Sequence, residues 1–268
     1  MKKFFTAIIL LVVLASLSAC GKSAEDSAAN GQKLNKLEQI QKDGVINIGL
    51  EGTFPPFSYH DSKGKLTGFE FEIADQIAKD LDVKPNYVET KWDSLIAGLD
   101  TNKYDFVINN ISITDERKQK YDYTIPYMVS NAVLAVRKDN TKIKSLKDYK
   151  GKKSAQTVTS NFAQDAKKLG AEIVPNENLT QSLDLVTQNR ADGTIHDEVT
   201  FLTYLKEHPD ANLRIVDGKV SSTDIALILN KNENEFREKL NEIIQKRLDD
   251  GTFSKISEKY FNKDIMNK

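Results

Sequence analysis

Three histidines and a single cysteine are the residues of this 268-residue chain whose types most often do chemistry. His60, His196 and His208 form no HExxH or other metal-ligand spacing, and no GxSxG or P-loop run occurs. His196 and Asp197 would suggest a general acid-base pair, but neighbours in sequence rarely face one another. Cys20 alone cannot form an intrachain disulfide, a CxxC redox pair or a thiolate zinc site. The pattern favours binding over catalysis, and neither a metal nor an organic cofactor is expected.

The composition is that of a folded body with little net charge. Hydrophobic residues make up 39% and charged residues 29%, which excludes a polytopic membrane protein. The net charge of −1 gives no electrostatic reason to expect nucleic acid as a partner. At about 150 residues per domain, the length indicates roughly two domains.

The N-terminus has the pattern of a secretion signal. Two lysines precede an uncharged stretch at 4–19 that is shorter than the roughly 20 apolar residues of a membrane-spanning helix. Cleavage before Cys20 would place Leu17 at the −3 position, where an ordinary signal peptidase needs a small residue. LSAC (17–20) instead resembles a bacterial lipobox, in which the cysteine is diacylated and becomes the first mature residue. The alternative is a buried structural cysteine in a first helix.

We therefore expect residues 1–19 to be a lipoprotein signal peptide and 20–33 to be the lipidated Cys20 with a flexible tether. The segment after Cys20 is small and polar, and a chain of that length and type spans about 20 Å. Two acyl chains anchor stably, so the body would be held outside the cytoplasm at a membrane surface.

The body alternates strand and helix patterns. Phe69, Ile73, Ile77 and Leu81 recur every four residues and predict one apolar helix face. Further helices are predicted at 94–99, at 161–169 after an N-cap, at 198–206 and at 233–248. Strands separated by helices predict an α/β fold with largely parallel sheets.

Five motifs resemble, in order and spacing, those of the polar-amino-acid solute-binding proteins of ABC importers. They are GLEGTFPPF (49–57), GKLTGFE (64–70), KWDSL (91–95), ISITDERK (111–118) and YTIPY (123–127). The resemblance covers about residues 34–265 and is greatest to cystine-binding members.

The resemblance implies a two-lobed, periplasmic-binding-protein-like fold of type II. Each lobe would hold a mixed, mainly parallel sheet flanked by helices, and two hinge crossovers would join the lobes. Lobe 1 would comprise 34–127 plus 224–268, and lobe 2 would comprise 128–223. Ligand binding would close the lobes by a hinge motion.

The resemblance also implies which residues hold the head group of an amino acid. Arg117 would bind the carboxylate, since its guanidinium makes two parallel charge-assisted hydrogen bonds. Asp197 would bind the ammonium; the alternative is the N-cap of the following helix, and both roles can hold at once. Ser112 would assist at the carboxylate, and Asn110 would offer its backbone carbonyl to the ammonium. A surface ion pair of Arg117 with a neighbouring acid is the alternative for that residue.

Aromatic and helix-start residues complete the implied site. Phe54 and Trp92 would enclose the ligand side chain, while Phe57 fits either the site or the core. Ser160 and Asn161 would cap the carboxylate at a helix N-terminus.

Glu51 is the residue expected to set specificity. A carboxylate there favours a cationic distal end, as in lysine, arginine or the second ammonium of cystine, and it disfavours glutamate. The alternative is an acid that stabilises the turn.

The function implied is an extracytoplasmic receptor that captures an amino acid, with cystine the best candidate, and delivers it to an ABC permease and its ATPase. The protein is expected to be a monomer that meets the membrane only through its lipid. Another polar or cationic amino acid (Lys, Arg, His or Gln) is the first alternative. A dehydratase-type enzyme or a sensor domain on the same fold is the second.

Overall fold

Strands and helices alternate along the part of the chain that the structure describes. The computed structural model describes residues 34–267; the predicted signal peptide, Cys20 and the tether lie outside them. The strands among these residues are β1 (Val45–Leu50), β2 (Thr53–Phe54), β3 (Ser58–His60), β4 (Leu66–Thr67), β5 (Lys84–Glu89), β6 (Phe106–Val107), β7 (Tyr121–Tyr123), β8 (Met128–Val136), β9 (Lys153–Gln156), β10 (Glu172–Pro175), β11 (Gly193–Asp197), β12 (Arg214–Ile215), β13 (Ser221–Ile225) and β14 (Ile228–Asn230). The α-helices are α1 (Lys36–Asp43), α2 (Phe69–Asp80), α3 (Trp92–Leu95), α4 (Asp115–Lys120), α5 (Asn161–Lys168), α6 (Leu179–Thr187), α7 (Glu198–Glu207), α8 (Asn234–Asp249) and α9 (Thr252–Phe261).

None of these described helices has both the length and the apolar composition needed to cross a membrane. The apolar face predicted for α2 is confirmed, since Phe69, Ile73 and Ile77 are almost fully buried. They join a core cluster that also contains residues of β1, α8 and α9. The four-residue spacing therefore does fix which side of α2 faces the sheet.

The first sheet has the strand order β5-β1-β6-β14-β7. Strand β1 runs parallel to both β5 and β6, whereas β14 is antiparallel to β6 and β7. This sheet thus combines four strands from the first half of the chain with one strand, β14, from much later in the sequence. A small third sheet, β2-β3-β4, stands beside it.

The second sheet has the order β10-β9-β11-β8-β12, and β13 also pairs with β8. Strands β9, β10 and β11 are parallel, while β8 is antiparallel to β11, β12 and β13. Successive residues of β8 enter different clusters, with Leu134 on one face and Val133 and Ala135 on the other. Because both faces of β8 are covered there, its sequence at 132–136 is continuously apolar rather than alternating.

The chain crosses between the two sheets twice, and the crossings lie side by side. It leaves the first sheet after β7 and enters the second at Met128, then returns between Ile225 and Ile228. Met128 pairs with Ile225 in the register of β8 and β13, and the Tyr127 N–H donates to the Ile225 carbonyl at 3.0 Å. The two-lobed α/β fold with two crossovers is therefore confirmed. The residue boundaries assigned to the lobes stay a prediction.

Two segments differ from expectation. The helix predicted at 94–99 is instead the short α3 followed by a 3₁₀ turn at Ile96–Thr101. The Tyr104 hydroxyl donates to the Leu95 carbonyl oxygen, which a continuing α-helix would engage with the Leu99 N–H. Strand β13 was not predicted, because its Ser-Ser-Thr-Asp sequence has little strand propensity. Antiparallel pairing is also more extensive than the alternation of strands and helices suggested.

Candidate functional site

A pocket lies where the carboxyl ends of strands from both sheets meet. Glu51 follows β1, and Asn109 and Asn110 follow the parallel strand β6, so they share one sheet edge. From the second sheet, Gln156 ends β9 and His196 stands near the end of the parallel strand β11. The residues that line this pocket are Glu51, Thr53, Phe54, Trp92, Asn109, Asn110, Gln156, Thr157, Ser160, Asn161, Phe162, Asn178, Leu179, Ser182 and His196.

Direct contacts cross the cleft beside this pocket. Lys91 Nζ lies 2.8 Å from Glu177 Oε2. The Thr159 hydroxyl donates to Asp93 Oδ1 at 2.6 Å. Each contact joins the segment at the start of α3 to a loop of the second sheet, so the structure has the two lobes closed on each other.

The carboxylate of Glu51 is buried in the pocket wall beside an amide. Asn109 Nδ2 donates to Glu51 Oε2 at 2.8 Å, and the Glu51 N–H donates to Asn109 Oδ1 at 2.8 Å. Burial raises the pKa of Glu51, although the hydrogen bonds from Asn109 and from the Trp92 backbone counteract the rise. No cationic side chain of the described residues contributes to this balance. A cation from outside the protein would therefore be favoured here.

Two buried polar side chains after β6 have no hydrogen-bond partner among the described residues. Asn110 is 6% exposed with φ +50°, and neither its Nδ2 nor its Oδ1 is bonded. Ser112 is 1% exposed, and its Oγ is also unbonded. An unsatisfied buried polar group costs about 1–3 kcal/mol. Both side chains are thus placed to bind polar atoms of a ligand.

Glu70 of α2 fixes the backbone of this loop. Its two carboxylate oxygens accept from the Asn110 N–H at 2.7 and 2.9 Å, and Oε1 also accepts from the Tyr127 hydroxyl. Burial raises the pKa of Glu70 to about 7, and the nearby Asp197 carboxylate contributes to the rise. Glu70 therefore links the loop at Asn110 to the first crossover.

Arg117 lies beside the pocket without a carboxylate within ion-pair distance among residues 34–267. Its Nη1 donates to the Ser112 carbonyl at 3.1 Å, and its guanidinium lies 5.5 Å from the centre of the Trp92 ring. Burial lowers the pKa of Arg117. The backbone is held by Thr114, whose side chain caps α4 by accepting from the Arg117 N–H. The surface ion pair considered for Arg117 is absent from this part of the structure.

A second cavity adjoins the first and contains Arg117. Its lining residues are Ser112, Thr114, Glu116, Arg117, Thr159, Ser160, Asn161, Gln164, Asp165, Lys168, Ser221 and Thr223. Ser160 and Asn161 line both cavities. Ser160 is the N-cap of α5, as predicted, and its hydroxyl accepts from the Ala163 N–H at 3.1 Å. The start of α5 therefore separates the two cavities.

Asp197 is fully buried and lines neither cavity. Its Oδ2 accepts from the Ser130 hydroxyl at 2.5 Å, and its Oδ1 caps α7 by accepting from the Thr200 N–H at 3.0 Å. Burial raises the pKa of Asp197, while these hydrogen bonds lower it. The N-cap role considered for Asp197 is thus present, and a role toward ligand stays a prediction.

Aromatic rings form one side of the pocket. Phe54 stacks on Phe57 with centroids 4.8 Å apart and meets His196 edge-on at 5.5 Å. Phe57 is fully buried and packs on Phe69, so it belongs to the core behind the pocket. Trp92 lines the pocket, and the two aromatic residues expected around a ligand are therefore both present.

His196 should make folding stability fall in acid. Its ring lies against Phe54, Phe162 and Phe201, its Nδ1 has no hydrogen-bond partner, and burial lowers its pKa from 6.5 to about 3. In the unfolded chain the imidazole of His196 takes up a proton near pH 6.5, whereas in the folded chain it stays neutral down to about pH 3. Protonation therefore favours the unfolded chain, and the free energy of unfolding falls as the pH drops below 6.5. Between pH 7 and pH 5 we expect a loss of about 2 kcal/mol from this residue.

Denaturant unfolding of the wild-type and His196→Gln proteins at both pH values measures this loss, which the variant should lack. His60→Gln is the matched control, because Glu89 and the Gly64 carbonyl raise the pKa of His60 and its contribution has the opposite sign. Equal pH dependence in wild type and His196→Gln would contradict the prediction.

The structure gathers most of the predicted site residues. Six line the first pocket: Glu51, Phe54, Trp92, Asn110, Ser160 and Asn161. Ser112 and Arg117 line the adjoining cavity, whereas Phe57 and Asp197 line neither. Sequence reasoning did not select Asn109, Gln156, Asn178, Ser182 or His196 as site residues. For Asn109 and Gln156 a signal existed, since each comes at the carboxyl end of a strand.

The closed two-lobed fold, with a polar and aromatic pocket at the strand ends, defines a type II periplasmic-type binding protein. The family model of bacterial extracellular solute-binding proteins, family 3, matches residues 46–263. The chain belongs to this family.

Relatives whose names include an amino-acid ligand support the same class. The chain is 38% identical over 267 residues to the L-cystine-binding protein TcyA of Bacillus subtilis, covering 99% of each. It is also similar to the L-cystine solute receptor of Neisseria gonorrhoeae in its unliganded open conformation, with 40% sequence identity and a TM-score of 0.59. That alignment covers 87% of this chain and 99% of the receptor chain. An ancestral arginine-binding protein bound to arginine gives a TM-score of 0.77 at 35% identity, covering 81% of this chain and 98% of that one. The higher score for the ligand-bound structure agrees with the contacts that cross the cleft here.

Proposed function

We propose that this protein is the extracytoplasmic receptor of an ABC importer, which captures an amino acid between its lobes and delivers it to the permease. The observation that carries this proposal is the set of unsatisfied groups at the cleft. Asn110 and Ser112 have buried polar atoms without partners, and the Arg117 guanidinium has no carboxylate within ion-pair distance among residues 34–267. A free amino acid supplies the complementary groups.

The proposed roles follow from charge and position. Arg117 and Ser112 receive the α-carboxylate, together with Ser160 and Asn161 at the start of α5. Asp197, the buried carboxylate at the end of β11, receives the ammonium. The rings of Phe54 and Trp92 enclose the side chain, since rigid rings lose little conformational freedom on binding.

Cystine is our first candidate ligand. Glu51 is a buried carboxylate without a cationic partner among the described residues, so it favours a ligand with a distal ammonium. The similarity to TcyA and to the Neisseria receptor, both named for cystine, supports this choice. Lysine, arginine, histidine and glutamine are the alternatives, and their polar or cationic distal ends suit the same pocket.

A thermal-shift screen tests the proposal. Residues 21–268 retain every described residue and would be screened against the common amino acids and cystine. A ligand at 100 times its dissociation constant adds about 2.7 kcal/mol of stability. At least one amino acid should raise the melting temperature and be recovered unchanged by mass spectrometry. The absence of any shift would sink the receptor proposal, and conversion of the ligand would favour the dehydratase-type alternative.

Lipid attachment at Cys20 is proposed from the lipobox pattern, with the permease and its ATPase as the remaining partners. We expect the wild-type protein to fractionate with membranes and a Cys20→Ala protein to be released or left with its signal sequence uncleaved. Immunoblots of membrane and soluble fractions give the answer, with Ser18→Gly as a control that keeps the small-residue pattern. If the Cys20→Ala protein is cleaved and still fractionates with membranes to the same extent as wild type, lipid attachment at Cys20 is wrong.

A further inference from the structure

Glu70, the second residue of α2, is a fully buried carboxylate to which the proposed binding roles give no part. Its oxygens accept hydrogen bonds from the Asn110 N–H and the Tyr127 hydroxyl, and neither partner carries a positive charge. The Asp197 carboxylate, also fully buried, is near enough to act on Glu70 by charge repulsion. Hydrogen bonds from neutral groups surround Asp197 as well. Among the described residues, two enclosed carboxylates therefore face each other with no cation beside either.

The elements packed against α2 are α8, α9, β3, β4 and β5, and their cations are engaged elsewhere or lie in solvent. Those with an ion pair among the described residues form the pairs Lys259–Glu72, Arg247–Asp80, Arg247–Asp250, Arg237–Asp122, Lys239–Glu242 and His60–Glu89. The others, Lys84, Lys246 and Lys255, are exposed. The protein therefore places no positive charge of its own next to Glu70.

The backbone of Asn110 joins Glu70 to the pocket. Both carboxylate oxygens hold the Asn110 N–H, and Asn110 adopts φ +50°, a left-handed conformation. The Asn110 side chain lines the pocket, is 6% exposed and has neither polar atom bonded among the described residues. Asp197 directly follows His196, which lines the same pocket. The two carboxylates thus lie behind the part of the pocket where the α-ammonium is proposed to bind.

Two carboxylates enclosed without a cation hold a proton more tightly than carboxylates in water. Burial raises the pKa of Glu70 to about 7, and repulsion from Asp197 adds to the rise. Burial raises the pKa of Asp197 in the same direction. A positive charge brought next to such a pair favours its ionised form. An arriving ammonium therefore meets a proton that it can displace.

We infer that Glu70 is a positioning residue for the ligand, which holds the Asn110 loop in place and gives up a buried proton when the α-ammonium binds. This inference rests on the proposed amino-acid function. In the step, the carboxylic O–H bond breaks, the proton passes to the buffer, and the charge of the ammonium replaces it. No electrons are transferred. A purely structural Glu70 would hold the loop without any release of protons.

Calorimetric titration of the full chain in detergent counts the protons. At pH 6.0 the enthalpy of binding is compared in MES and in Bis-Tris, which differ in ionisation enthalpy. The probes are L-cystine, L-arginine and L-glutamine, whose α-ammonium groups stay charged at this pH. We expect release of about 0.9 of a proton, because a group with a pKa of about 7 is mostly protonated at pH 6.0.

The affinity for the same probes should follow the pH in the same direction. Protonated Glu70 opposes binding, so the dissociation constant should be about eightfold higher at pH 6.0 than at pH 7.5. His196 does not contribute, since its pKa of about 3 leaves it neutral at both pH values. L-Glutamine has no distal charge, and Glu51→Gln should therefore leave its proton release unchanged.

Glu70→Gln should abolish both the proton release and the pH dependence of affinity. Glutamine can still accept from the Asn110 N–H through its oxygen and donate to the Tyr127 hydroxyl through its nitrogen, so the fold is kept. Glu72→Gln is the matched control on the same helix. Glu72 pairs with Lys259 and lines neither cavity, so this variant should release the proton as wild type does.

Tyr127→Phe supplies a second test that does not depend on the folding of Glu70→Gln. It removes the hydroxyl that donates to Glu70 and stabilises the ionised carboxylate. The pH at which affinity begins to fall should therefore move upward in this variant. An unchanged pH profile would overturn the inference.

The outcomes separate this inference from the proposed function. If neither the probes nor any other amino acid binds, the receptor function itself fails. If a probe binds without releasing a proton, or if Glu70→Gln releases it as wild type does, the role of Glu70 alone is wrong. The same conclusion holds if Glu51→Gln abolishes the release, since the proton then belongs to Glu51.

Discussion

Arg117→Lys should weaken binding of the amino-acid ligand at least tenfold, and Arg117→Ala should weaken it about a hundredfold. The guanidinium is partly buried beside Trp92, its Nη1 donates to the Ser112 carbonyl oxygen, and it also hydrogen-bonds to Tyr123. No carboxylate among residues 34–267 lies within ion-pair distance, so its charge is available to a ligand carboxylate. Lysine keeps the charge but loses the planar pair of donors, and each factor of ten corresponds to about 1.4 kcal/mol.

Titration calorimetry with the ligand found by the thermal-shift screen measures these changes. Arg237→Lys is the matched control, since Arg237 pairs with Asp122 of β7 and lines neither cavity. Both Arg117 variants should unfold at nearly the wild-type denaturant concentration. An Arg117→Lys protein with wild-type affinity would show that the carboxylate binds elsewhere.

Asp197→Asn should lower ligand affinity at least thirtyfold while leaving folding nearly unchanged. Asparagine caps helices as well as aspartate does, so the bond to the Thr200 N–H can be kept. The negative charge is lost, and removing one partner of a buried charge pair costs about 2–5 kcal/mol. Since burial already raises the pKa of Asp197, loss of the charge should not destabilise the empty protein.

Asn35→Ala is the control that separates a helix-cap role from a ligand role. It removes the N-cap of α1, and Asn35 lines neither cavity. That variant should lose about 1 kcal/mol of stability and keep its affinity. Asp197→Asn should do the reverse. If Asp197→Asn loses stability and keeps affinity, Asp197 is only a helix cap.

Sequence patterns predicted correctly the features that neighbouring residues determine, such as helix faces and helix caps. The spacing of Phe69, Ile73 and Ile77 specified the buried face of α2, and Ser160 was correctly placed as an N-cap. The polar strand β13 escaped prediction because its place in the sheet comes from pairing with β8, almost a hundred residues earlier. Its own sequence carries no strand signal.

Some residues of the candidate site could be identified from the sequence, and others could not. Glu51, Phe54 and Trp92 were identified because they stand in motifs that resemble a family, and all three line the pocket. Ser182 is the fourth residue of the amphipathic helix α6, so only the tertiary fold brings it to the cleft. Asp197 and Phe57 show the converse, since their motif positions are clear but their side chains are buried away from both cavities.

The paired crossovers determine how much conformational entropy the empty protein loses when its lobes close on a ligand. A single linker would let the lobes swivel widely, and each closure would then remove much orientational entropy. Here the first crossing is bonded to the second through Tyr127 and Ile225, and an isolated bridge between Ser112 and Ile225 ties a third segment to the junction. We expect this junction to restrict the open protein to bending about the two crossovers. A ligand needs to offset little configurational freedom, and more of its contact energy remains as affinity.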